Sequence, residues 1–153
     1  MEQIHLSLFI DHERQGSYFV LPFEVPEGIE SIAIAYRYDR RRAVAHALEQ
    51  GTFTSRTERN VIDLGLLDPQ GQQVGASGAD KAEISVSEVW ATPGYRPWRV
   101  AAGRWQILVG AYVVAPEGVT VEYDISLARK RRRLFKGDVH THTLASDGVH
   151  TAE

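Results

Sequence analysis

Apolar and polar residues alternate with a period of two through most of residues 1–128. That rhythm commits the span to pleated strands, with one face in a core and the other toward water. Ile4, Leu6, Leu8 and Ile10 fall on one face of a strand, opposite His5, Ser7, Phe9 and Asp11. Ile32, Ile34, Tyr36 and Tyr38 repeat the pattern, as do Ile84 with Val86 and the run Val119, Val121, Tyr123, Ile125 and Leu127. Gly16 to Phe23 is apolar on both faces, with Pro22 marking an end or an edge. Val61 to Leu67 forms a further run, and Trp105 to Val114, also apolar throughout, reads as a central strand buried on two sides.

Turn residues punctuate these runs. Pro26-Glu27-Gly28, Asp68-Pro69-Gln70-Gly71, Pro93-Gly94 and Pro116-Glu117-Gly118 combine a fixed proline φ with a glycine that tolerates positive φ. Arg41 to Gln50 alone reads as helical, with Ala43, Val44, Ala47 and Leu48 on one side and Gly51 as its stop. Seven or eight short strands in this arrangement predict an all-β domain, an antiparallel β-sandwich of jelly-roll type.

The remaining sequence excludes several classes. Cysteine is absent, so neither a disulfide framework nor a cysteine-based zinc site is available. No run approaches the ~18 apolar residues of a membrane helix, and Met1 to His5 lacks the basic-then-apolar pattern of a secretion signal. A soluble, cytoplasmic domain is the expectation. The net charge of −3 argues against bulk nucleic-acid binding. The basic clusters Arg129 to Arg133 and Arg37, Arg40, Arg41 and Arg42 are accordingly read as solvated, the first as a linker over 129–136. His5, His12 and His46 have no partner at ligand spacing and are read as surface or satisfied residues.

The chemistry changes after residue 136. Asp138, His140 and His142 stand two apart, so on a strand they share one face, with the two histidine Cα atoms ~7 Å apart. Two imidazoles so placed can converge on one metal ion. Asp138 is either a ligand itself or a group that orients a histidine. Ser146-Asp147-Gly148 is a tight turn that returns Asp147 toward the end of that strand. An imidazole pair with a carboxylate suits zinc, manganese or iron better than magnesium or calcium. The alternative is two polar residues on an exposed strand face.

The full string His140-Thr141-His142-Thr143-Leu144-Ala145-Ser146-Asp147-Gly148 is far more specific than His-x-His alone. Gly137 to Glu153 resembles the opening motif of the PHP (polymerase and histidinol phosphatase) metal-dependent phosphoesterases. The resemblance implies that His140 and His142 bind one metal of a multinuclear cluster and that Asp147 binds a neighbour. It also implies a distorted (β/α)7 barrel with the metals at the carboxyl ends of its strands. Ala91 to Tyr95 and Gly103-Arg104-Trp105 resemble the amino-terminal β-sandwich of CehA/McbA-type PHP proteins, where a Lys-Gly-Asp-x-His segment, here Lys136 to His140, joins sandwich to barrel. The implied substrate is a small phosphoester, or a carbamate or carboxylic ester. The family's remaining ligands would lie beyond residue 153. The chain is therefore expected to be an amino-terminal part comprising an accessory sandwich (1–128), the linker (129–136) and the start of the catalytic domain (137–153). Its partner is the rest of the barrel in cis, and by itself it is expected to be inactive.

A non-catalytic β-sandwich module that binds carbohydrate or protein is the competing expectation. Trp90, Tyr95, Trp98 and Trp105 are the aromatics available to it. Trp90 and Trp105 lie in strand patterns and read as core, whereas Tyr95 and Trp98 lie in a Pro/Gly loop and form the candidate interaction loop.

Overall fold

A computed structural model describes residues 1–48 and 51–131, with side chains described outside 41–57. The described chain is almost entirely β. Its strands are β1 (Glu2–Ile10), β2 (Ser17–Val25), β3 (Ile29–Arg37), β4 (Arg41–Leu48), β5 (Gly51–Glu58), β6 (Val61–Leu67), β7 (Gln73–Ser77), β8 (Glu83–Ser87), β9 (Gly103–Val113) and β10 (Val119–Arg129). A single 3-10 turn over His12–Arg14 is the helical exception among the described residues, capped by the Asp11 carboxylate, which accepts from the Glu13 N–H.

Two four-stranded antiparallel sheets carry the domain, ordered β1-β10-β3-β8 and β2-β9-β6-β7. The chain changes sheet between β1 and β2, β2 and β3, β3 and β6, β7 and β8, β8 and β9, and β9 and β10. Almost every pairing is therefore between strands distant in sequence. Periodicity could announce the strands but not this order.

The alternating positions meet in one shared core. In β10, Val119, Val121, Tyr123, Ile125 and Leu127 are all buried, on the same sheet face as Ile32, Ile34 and Tyr36 of the neighbouring β3 and Ile84 and Val86 of β8 beyond it. The second sheet supplies Phe23, Ile62, Leu64, Leu66, Trp105, Ile107 and Val109. Each such side chain, once fully buried, contributes about 1.5–3 kcal/mol. Trp105 has its polar atom satisfied inside the core, its indole N–H donating to the Ala101 carbonyl at 2.8 Å.

The turns behave as their residues require. Gly71 takes φ +78° and donates to the Asp68 carbonyl, while the buried Asp68 carboxylate accepts from the N–H groups of Gln70 (2.9 Å) and Gln72 (2.8 Å). Pro22 sits in β2, an edge strand, the place in a sheet where a residue without an N–H is tolerated.

Three expectations need correction. The helix over Arg41 to Gln50 is instead a strand through Leu48, paired in hairpin register from Arg41↔Glu58 to Leu48↔Gly51; Gln50 lies outside the described residues. Helix propensity separates ordinary residues by less than about 0.7 kcal/mol, and a lone ten-residue helix is marginal, so pairing with the Thr-rich β5 prevails. β9 is central, between β2 and β6, but buried mainly on its inner face, because Arg104 and Tyr112 are exposed on the outer one. Arg40 is not simply solvated: its guanidinium lies 4.7 Å from the Tyr38 ring centroid and 5.4 Å from that of Tyr36, and donates to the Ala79 carbonyl.

Candidate functional site

The expected metal ligands His140, His142 and Asp147, and Asp138 beside them, lie outside the described residues. Among the described residues no group of three or more His, Cys, Asp or Glu side chains is placed to hold a metal ion. His5 and His12 are satisfied as expected. His5 meets Asp124 (2.7 Å) and Glu122 (2.8 Å) across β1 and β10, and His12 meets the Val114 carbonyl at 2.6 Å. The carboxylates hold the His5 imidazole above its usual value, Asp124 most strongly. His5 and Arg37 in turn hold the Asp124 carboxyl below its own. His46 lies among the residues whose side chains are not described.

The expected interaction loop is described, and its aromatics are redistributed. Tyr95 is 7% exposed, not an exposed contact: its hydroxyl donates to the Leu64 carbonyl at 2.7 Å and meets the Ser77 hydroxyl at 3.0 Å. Burial pushes this phenol up to about 12. Its backbone crosses β7 so closely that a Cβ on Gly75 would lie 2.5 Å from the Tyr95 Cα. Trp98 is half-buried against the core, with the Arg96 guanidinium 5.1 Å from its ring centroid. Trp105 is core as expected, but Trp90 is 56% exposed beside Val89 at 87%. Strand β8 stops at Ser87, whose N–H and hydroxyl both donate to the Trp90 carbonyl, so the chain turns before Trp90 can reach the core. The four aromatics therefore form no common platform.

This loop adjoins the point where the chain leaves β10. The Lys130 N–H donates to the Gly28 carbonyl at 2.8 Å. Lys130 then lines two neighbouring hollows that share Val100: one of about 570 Å³ with Ile29, Ser85, Ser87 and Val89, and one of about 350 Å³ with Gly28, Arg99 and Ala101.

A second constellation was not anticipated. On the outer face of β2, β9 and β6, Tyr18 stands opposite Gly110, and Gly110 opposite Asp63. Tyr18 and Tyr112 are each 67% exposed there. A signal for it existed in sequence: two runs apolar on both faces, each needing a core for only one, and glycines inside the strand patterns at Gly65 and Gly110.

In comparison with known proteins, the chain matches no family model and no curated protein.

Proposed function

We propose that this chain is the amino-terminal part of a PHP-type metal-dependent hydrolase, in which an accessory jelly-roll sandwich precedes the catalytic barrel. The observation that carries this reading is the string Lys136-Gly137-Asp138-Val139-His140-Thr141-His142 followed by Ser146-Asp147-Gly148. Its donor set, two imidazoles with a carboxylate at strand spacing, fits zinc, manganese or iron. A metal held by His140, His142 and Asp147 supplies a water of lowered pKa and a clamp for the phosphoryl or acyl oxygen under attack. Asp138 orients a histidine or joins the ligands.

Two features of the described domain support the reading. The strand orders β1-β10-β3-β8 and β2-β9-β6-β7, with the chain passing back and forth between sheets, favour the jelly-roll reading. The loop carrying Trp90 and Trp98 also borders the exit of the chain after Arg129, where a following domain in cis would be tethered.

The test uses the parent protein with its continuation past Glu153. It should purify with a divalent metal and hydrolyse p-nitrophenyl phosphate esters or carboxylic and carbamate esters. His140→Ala and His142→Ala should lose metal and activity together while melting normally. The 153-residue chain alone should show no turnover. Full metal content and activity in His140→Ala, or turnover by the short chain, would overturn the reading.

A further inference from the structure

We propose that the trough on the outer face of β2, β9, β6 and β7 binds one neutral sugar ring, stacked on Tyr18 with its hydroxyls donated to Asp63. The trough holds about 230 Å³ and is lined by Tyr18, Asp63, Gly65, Ser77, Leu108 and Gly110 among others. Its shape comes from the glycines. A Cβ on Gly110 would stand 2.8 Å from the Tyr18 ring and 3.0 Å from the Asp63 Cβ, and one on Gly65 would stand 3.0 Å from the Leu108 Cβ. With hydrogens there instead, the face is concave where a sheet normally carries a row of side chains.

The wall chemistry selects the ligand. Tyr18 offers an apolar ring that is 67% exposed. Asp63, half-buried, accepts from the Ala79 N–H and has no cation paired with it among the described residues. Burial raises its carboxyl above the usual range. A carboxylate in that state retains several lone pairs for donors and gains from neutral hydroxyls without the cost of desolvating a second charge. The neighbouring carboxylate does not turn the trough into a cation trap, because Asp80 is paired with Lys81 at 3.0 Å. A pyranose has the matching two-sidedness, a C–H face for the tyrosine and an edge of hydroxyls for the carboxylate. The volume falls below the ~300 Å³ at which drug-sized pockets begin, which suits a single ring. Tyr112, two residues beyond Gly110 on the same face, sits outside the trough, where the next ring of a longer glycan would pass.

The experiment titrates the 153-residue chain with the methyl glycosides of glucose, galactose and mannose, following backbone amide shifts. At least one glycoside should shift the amides of Tyr18, Asp63, Gly65 and Gly110 with millimolar saturation. Tyr18→Phe should retain the response, Tyr18→Ala abolish it, and Asp63→Asn weaken it about tenfold, the loss of roughly one charge-assisted hydrogen bond. Tyr112→Ala should leave the monosaccharide response unchanged. Three results would overturn the proposal: no shift with any glycoside, a response that survives Tyr18→Ala, or trough shifts produced by N-acetyl-arginine amide and not by the sugars.

Discussion

Tyr123→Phe should stabilise the domain, although it alters the centre of the core. Tyr123 is fully buried on β10, stacked on Tyr36 with ring centroids 5.8 Å apart and planes 9° apart. The two rings share an environment but their hydroxyls do not. Tyr36 donates to the Ile62 carbonyl at 2.8 Å, whereas the Tyr123 hydroxyl has no partner among the described residues. A buried donor left unmade costs about 1–3 kcal/mol, and a made bond contributes about 0.5–1.5 kcal/mol. Removing the Tyr123 oxygen therefore gains about 1 kcal/mol, net of the small void it leaves. Tyr36→Phe loses about 1 kcal/mol, moderated because the Tyr38 hydroxyl, which accepts from the Ile62 N–H at 3.0 Å, stays near that residue. The same chemical change at two touching rings should thus differ by about 2 kcal/mol in opposite directions.

Urea denaturation read by tryptophan fluorescence measures both variants, and the 1 kcal/mol steps correspond to shifts of about 3–5 °C in Tm. Burial raises both phenols well above their ordinary value of 10.0, so neither ionises near neutrality and the contrast should not depend on pH there. If Tyr123→Phe lowers stability as much as Tyr36→Phe does, the idea that an unpaired hydroxyl sits in this core is wrong. The pair should also be non-additive, since the rings touch.

Gly75→Ala should cost about 3 kcal/mol in urea denaturation because its Cβ meets the Tyr95 backbone, whereas Gly71→Ala, with open space but φ +78°, should cost about 1–2 kcal/mol. Asp68→Ala should cost about 2 kcal/mol, and Asp68→Asn distinctly less, because one oxygen accepts both turn N–H groups. The His5 ring should titrate above 6.5 by NMR. Its attraction to Glu122 and Asp124 is present below that value and is lost as pH rises through the folded pKa, so His5→Ala should matter less at alkaline pH. The Asp124 side of the pair is instead lost as pH falls below 3.8. Chelation by EDTA should leave Tm unchanged, since the two four-stranded sheets are held together by their shared apolar core.

What the sequence could disclose was set by the range of each interaction. Strand identity is local: the alternation of Val119 to Leu127 maps residue by residue onto burial in β10, and Asp68-Pro69-Gln70-Gly71 closes as its residue types demand. Sheet order is not local. That β10 lies between β1 and β3 depends on how the inner faces pack, and no spacing in the chain encodes it. Between these extremes stand positions where local and global demands conflict. Arg41 to Leu48 has the alanines of a helix but lies beside a strand that completes its hydrogen bonds. Tyr95, read as an exposed loop aromatic, is buried because Gly75 leaves room for its backbone, a pairing across twenty residues that neither segment announces alone. Trp90 shows the converse, a large ring left outside because the hairpin at Ser87 turns one step too early. The same reasoning applies to Tyr18 and Asp63. Each has an unremarkable place in its own strand pattern, and their chemistry exists only because β2 and β6 flank β9 with a glycine between them. A set of side chains brought together from three strands by register can be found only after the register is known, whereas the proposal at His140, His142 and Asp147 rests on spacing within one short string and needs no register.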